Sequence, residues 1–169
     1  YLLITGKQLP NNFAVFVFCF GAFIFSGLIL FHIRNIYFKN FPDWLLTLAI
    51  ANIGICNLSP YFLRQPRIWE QADSCGMFFI SGAIYFLFRA IENEHKLKSI
   101  YLTLGSLFLG LSAGGRPHYI LSSVLLLIVL YKIRTWKITY KHLIYLFGPC
   151  AICIILLGLY NYYRFEDPF

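Results

Sequence analysis

The stretch Phe13-Ala-Val-Phe-Val-Phe-Cys-Phe-Gly-Ala-Phe-Ile-Phe-Ser-Gly-Leu-Ile-Leu-Phe-His-Ile33 carries no formally charged side chain over 21 residues. A helix of that length rises about 30 Å, the thickness of the hydrocarbon layer of a bilayer. Its apolar residues are not confined to one face, so no water-facing stripe is left. A soluble helix shows such a stripe, whereas a helix apolar all round is buried or lies in lipid. Residues 13–33 therefore read as a membrane span, ended by His32-Ile33-Arg34.

Working outward, the same pattern recurs. Apolar runs separated by breakers give six candidate spans, at residues 13–33, 44–58, 74–88, 100–113, 119–131 and 143–160. Lys39, Pro42 and Asp43 fill the first connector, and Ser59-Pro60 opens a polar segment to Asp73. Glu92, Glu94, His95, Lys96 and Lys98 form a solvated turn, and Gly114-Gly115-Arg116-Pro117-His118 separates the fourth run from the fifth. The second, fourth and fifth runs are nearer 15 residues than 20, a length that a thin bilayer or a broken helix accommodates. Composition agrees: 59% of the chain is hydrophobic, 20% aromatic and only 12% charged. A soluble domain carries about a quarter charged residues, so that class is excluded, as are a disordered chain and a disulfide-stapled module. The expected fold is all-α: one polytopic transmembrane helical bundle over residues 1–169. Tyr1 at the start and a chain that stops after Asp167-Pro168-Phe169 point to a piece of a longer protein.

The cysteines add little chemistry. Cys150-x-x-Cys153 has redox or zinc spacing, but there is no second pair and its neighbours are apolar, so buried packing is the expected role. No ligand set calls for a metal, a divalent ion has no support, and no cofactor is evident.

Lysine and arginine fix an orientation. Arg34, Lys39, Arg89, Lys96, Lys98, Lys132, Arg134, Lys137 and Lys141 fall in one set of alternate loops, and Lys7, Arg64, Arg67, Arg116 and Arg164 in the other. The richer set is cytoplasmic by the positive-inside rule. The net charge of +7 then reflects topology, and no nucleic-acid partner is implied.

The outward side is where chemistry is expected. Charges at a membrane boundary pair with one another, line a wet cavity or bind ligand. Guanidinium groups match phosphate oxygens with paired hydrogen bonds. Arg64, Arg67, Arg116 and Arg164 are thus candidate contacts for an anionic, lipid-linked phosphate. Arg116 is foremost, since it follows Gly105, Gly110, Gly114 and Gly115, which let backbones approach closely, and precedes Pro117 at a new span. It could equally snorkel to headgroups or pair with Glu70 or Asp73. Glu70 and Asp73, three apart in a first helical turn, suit the helix dipole or could hold a hydroxyl, a metal or an arginine. His118 could add a donor or a base, and Asn161 shares a helix face with Arg164 if the last helix continues. The basic stretch from Lys132 to Lys141 is expected to touch anionic lipid.

Three segments together resemble a known family. They are Ser59-Pro60 with Arg67-Ile68-Trp69-Glu70-Gln71-Ala72, then Gly110-Leu111-Ser112-Ala113-Gly114-Gly115-Arg116-Pro117, then Tyr160-Asn161-Tyr162-Tyr163-Arg164-Phe165 through Phe169. The pattern is similar to the central and C-terminal part of bacterial multi-span GT-C glycosyltransferases, in the protein mannosyltransferase and aminoarabinose transferase superfamily. There a GL-A-x-x-RP element ends one span and an N-Y-x-RFG-x-P element closes a later one. Here Glu166-Asp167 stands where a Gly-Ser-like pair is usual.

The resemblance implies a partial GT-C membrane domain in a bacterial inner or plasma membrane. It implies transfer of a sugar from a polyprenyl-phosphate donor to an acceptor on the extracytoplasmic face. It also implies that Arg116 meets the donor phosphate while Glu70 and Arg164 line the site. The family's catalytic aspartate lies in a first outward loop that has no counterpart here. A transporter or flippase for lipid-linked or small anionic solutes would use the same arginines, and a non-catalytic assembly subunit would need only the glycine faces of the first and fourth spans.

Overall fold

The computed structural model describes residues 10–92, 98–134 and 140–165. The expectations that rest on Lys7, Glu94, His95, Lys96, Lys137, Glu166 and Asp167 lie outside them. Among the described residues seven α-helices follow one another: α1 (Asn11–Tyr37), α2 (Asp43–Cys56), α3 (Ser59–Arg64), α4 (Ile68–Glu92), α5 (Lys98–Ala113), α6 (Val124–Arg134) and α7 (Tyr140–Phe165). A 3-10 helix, Pro117–Ser123, leads directly into α6, and no strand occurs among the described residues.

Among the described residues three helices, α1, α4 and α7, are long and apolar enough to cross a membrane. Many of the large side chains of α1 and α7 do not pack inward. Phe13, Phe16, Phe20 and Phe31 of α1 and Ile152, Ile155 and Leu156 of α7 are more than half exposed. Apolar patches of that extent mark a surface that meets something other than water. The chain is a helical membrane protein by this measure.

The other expected spans come out shorter. Residues 44–58 become the 14-residue α2, with Pro42 before its first turn and Asp43 within it. Residues 100–113 become the 16-residue α5. Residues 119–131 become the end of the 3-10 helix plus the 11-residue α6. These helices are apolar but shorter than the three long ones, so six crossings are not established by length. Residues 74–88 lie within α4, which begins at Ile68 with Glu70 in its first turn.

The chain divides into two compact units, one ending at Phe78 and one beginning at Phe79. In the first, Val15, Cys19 and Phe62 are buried together and Met77 packs on them. The Phe78 ring occupies the space that Gly21 leaves by lacking a Cβ, with Phe18 and Phe25 flanking it at centroid distances of 5.8 and 5.5 Å. Arg34 ties the loop between α1 and α2: it donates to Asp43 Oδ1 at 2.6 Å and to the Phe41 carbonyl at 3.2 Å.

In the second unit the core joins Ala83, Leu87 and Ala90 of α4 to Leu102 and Leu109 of α5, Leu126 and Val129 of α6, and Leu146 and Cys150 of α7. Small residues set the helix spacing. A Cβ on Gly105 would meet Leu87 Cγ at 2.7 Å, and one on Gly110 would meet Cys153 Cβ at 2.6 Å and Cys150 Cα at 3.0 Å. The backbone of α5 therefore lies directly on α7, as small residues permit between membrane helices.

Candidate functional site

The break that follows α5 is the best-defined of the expected site segments. The helix closes through Gly114 N–H to Leu111 O at 3.1 Å and Gly115 N–H to Ser112 O at 3.0 Å. Arg116 then takes an extended backbone, φ −147° and ψ 139°, and precedes the 3-10 helix, whose first residue is Pro117. Proline has no N–H to leave unsatisfied at that position and holds φ near the helical value. The Arg116 carbonyl accepts from Tyr119 N–H at 3.0 Å, and the arginine side chain is half-buried. A half-buried guanidinium at a chain break is a strong anion contact, because it is screened less than an exposed one. His118 beside it is exposed, its ring 4.4 Å from that of Tyr119.

The other site residues differ in environment. Arg164 is exposed and donates from Nη1 to Tyr160 Oη at 2.6 Å, one turn back on α7. Asn161 is half-buried on that helix. Both belong with Arg116 and His118 to the unit that begins at Phe79. Arg64, in the last turn of α3, and Arg67, just before α4, are exposed and belong to the unit that ends at Phe78.

Glu70 and Asp73 lie in that same first unit, and the two carboxylates differ. Asp73 is half-buried, whereas Glu70 is 8% exposed and its Oε2 accepts no hydrogen bond among the described residues. A buried carboxylate oxygen without a donor is costly and calls for an explanation.

Several polar groups of consequence were not singled out by the sequence. Arg89 stacks its guanidinium over the Tyr101 ring at 5.5 Å, and Lys98, at the start of α5, is 8% exposed. Arg89 lies within α4 and Lys98 in the first turn of α5, whereas the sequence pattern had placed Lys98 in a solvated turn. Ser106, fully buried, accepts a hydrogen bond from the backbone N–H of Cys150 at 3.1 Å. Cys150 and Cys153 are free thiols packed against Gly110, and among the described residues no group of three or more His, Cys, Asp or Glu is placed to hold a metal ion. Compared with protein-family models, with curated proteins and with solved structures, the chain has no match.

Proposed function

We propose that this chain contributes about six spans to a multi-span membrane glycosyltransferase, which moves a sugar from a polyprenyl-phosphate donor to an acceptor at the extracytoplasmic face. The reading rests on three short motifs and on one observation in the second unit: Arg116 is half-buried in extended backbone where α5 gives way to the 3-10 helix. When the sugar leaves, negative charge grows on the phosphate oxygen. A fixed cation already in place stabilises that charge without reorganisation at the moment of reaction. Within the second unit, Arg164 is assigned to the donor phosphate by charge pattern and by the resemblance, and His118 and Asn161 to the lining. Six crossings require α2 with α3, α5, and the 3-10 helix with α6 to serve as short spans beside the three long helices.

The test uses the full-length protein in proteoliposomes with a labelled polyprenyl-phosphate hexose. Arg116→Ala is expected to lower transfer at least a hundredfold while insertion is unchanged. Arg116→Lys retains the charge but not the fork and falls between. Normal transfer by inserted Arg116→Ala would reject the role.

A second reading, a transporter for lipid-linked or small anionic solutes, draws support from the interrupted α2–α3 segment. Discontinuous helices line substrate sites in many transporters. Uptake of the labelled donor into vesicles without transfer would favour it.

A further inference from the structure

The chain from Asp43 to Arg64 forms two helices, α2 and α3, interrupted at Asn57 and Leu58. Asp43 bonds Arg34 at 2.6 Å, a Cβ on Gly27 would meet Ile50 at 3.9 Å, and one on Gly54 would meet the Phe23 ring at 3.0 Å. These three pairs define one antiparallel register of α2 on α1, and it carries Cys56 to the level of Gly21; beyond the interruption, Ser59 lies beside Cys19. Cys19 is about 12 Å along α1 from its first residue. The helix itself measures about 40 Å against a hydrocarbon layer of about 30 Å. With α1 centred on such a layer, the interruption at Asn57 and Leu58 would fall about 7 Å inside it. Non-helical backbone is tolerated at such depth only where protein covers it or a cavity adjoins it.

A cavity of about 240 Å³ adjoins it, within the first unit. Phe16, Phe20 and Phe23 of α1 and Leu63 of α3 form its apolar wall, and Ile53, Gly54, Asn57, Ser59 and Cys19 close its other end. Asn57 is extended, at φ −77° and ψ 165°, and ends α2 there; the last carbonyls of a helix as a rule lack a donor within it. The Asn57 side-chain oxygen is engaged by Leu58 N–H at 2.7 Å. Ser59 is nine-tenths buried, and its Oγ has no nitrogen or oxygen partner among the described residues. Its polar neighbour is the Cys19 thiol, a weak hydrogen-bonding group. No charged side chain lines the cavity.

The geometry points to a binding site for a neutral aliphatic alcohol: a hydrocarbon body along the phenylalanine wall and one hydroxyl at the helix break. That hydroxyl would donate to a last-turn carbonyl of α2 and accept from Ser59 Oγ, satisfying groups the fold leaves open. An anionic head is excluded, since the C-terminal end of a helix is partially negative and no cation is at hand to pair with the charge. A plain hydrocarbon would leave the hydroxyl and carbonyls unmatched. The inference is independent of the transferase reading, because it uses neither the arginines nor the donor.

The test is photolabelling of the full chain in lipid nanodiscs with a diazirine-bearing octanol and the matching diazirine octane. Adducts are mapped by mass spectrometry, with n-octanol as competitor. Saturable alcohol adducts are expected on residues 16–23 and 53–63. Ser59→Ala should weaken n-octanol competition about fivefold to tenfold and leave octane labelling unchanged. Leu63→Trp, at a partly exposed position that tolerates bulk, should fill the cavity and abolish the saturable adducts even if the serine variant fails to fold. Labelling that does not saturate, that spreads evenly to lipid-facing Phe13 and Phe31, or that persists in Leu63→Trp would overturn the proposal.

Discussion

Ser106 Oγ on α5 accepts the backbone N–H of Cys150 on α7 across 3.1 Å, in a fully buried position. The contact follows Pro149, which has no N–H and whose ring disturbs the regular bonding of the preceding turn. A polar side chain from one helix thus serves the backbone of another where proline has loosened it. Ser106→Ala removes the acceptor and leaves a buried donor, and we expect it to cost about 1 kcal/mol of stability, the scale of such bonds between membrane helices. Ser106→Thr should retain most of it. Unfolding in mixed micelles measures both.

Gly110 tests the close approach of the same two helices. A Cβ there would lie 2.6 Å from Cys153 Cβ and 3.0 Å from Cys150 Cα, so even alanine forces α5 and α7 apart. The expected cost of Gly110→Ala is about 1–3 kcal/mol. Gly148→Ala is the control: its Cβ would sit 3.8 Å from Ile144 Cγ2, an ordinary contact, and stability should not fall. Thermal denaturation of the pair would show the contrast.

Arg34 closes the α1–α2 loop with bonds both to Asp43 and to the Phe41 carbonyl. Asp43 is 87% exposed, so the ion pair itself adds little and weakens with salt. Arg34→Ala should therefore cost more than Asp43→Asn, about 1 kcal/mol against half that or less. Raising the salt concentration should shrink only the part the two variants share.

Glu70 separates stability from function. Its buried Oε2 has no donor among the described residues, so Glu70→Gln removes a desolvated charge. The variant should unfold at the same temperature as the parent or higher, while donor transfer falls if the carboxylate serves a substrate hydroxyl. Loss of stability would mean that the charge is compensated within the fold.

The long spans were legible because twenty apolar residues admit few readings. Residues 13–33 and 143–160 lie within α1 and α7. The first turn of α4 was legible too, since Glu70 and Asp73 read as acidic residues of a first helical turn and the helix begins at Ile68. The 3-10 helix left no trace in the sequence, since seven residues are too few to separate a period of 3.0 from one of 3.6. Pro60 and Arg64 read as breakers, although proline is at home in a first turn and α3 forms around it. Gly105 and Gly110 were recognisable as points of close approach, and the structure uses both. Gly114 meets only the Leu111 carbonyl of its own turn. The Ser106–Cys150 bond was out of reach, because it depends on which helices pair. The same holds for the sequence-based expectation that arginines gather on one ligand: charge placed each of them near a boundary, but burial, which distinguishes Arg116 from Arg64, Arg67 and Arg164, is a property of packing.

The central claim is that Arg116 grips the phosphate of an isoprenoid carrier. Native mass spectrometry of the full-length protein with a polyprenyl monophosphate lacking sugar measures this without requiring turnover. Arg116→Ala should weaken binding about tenfold or more, with no loss for a polyprenol of equal length. Equal phosphate affinity in the parent and in the correctly inserted variant would contradict the account.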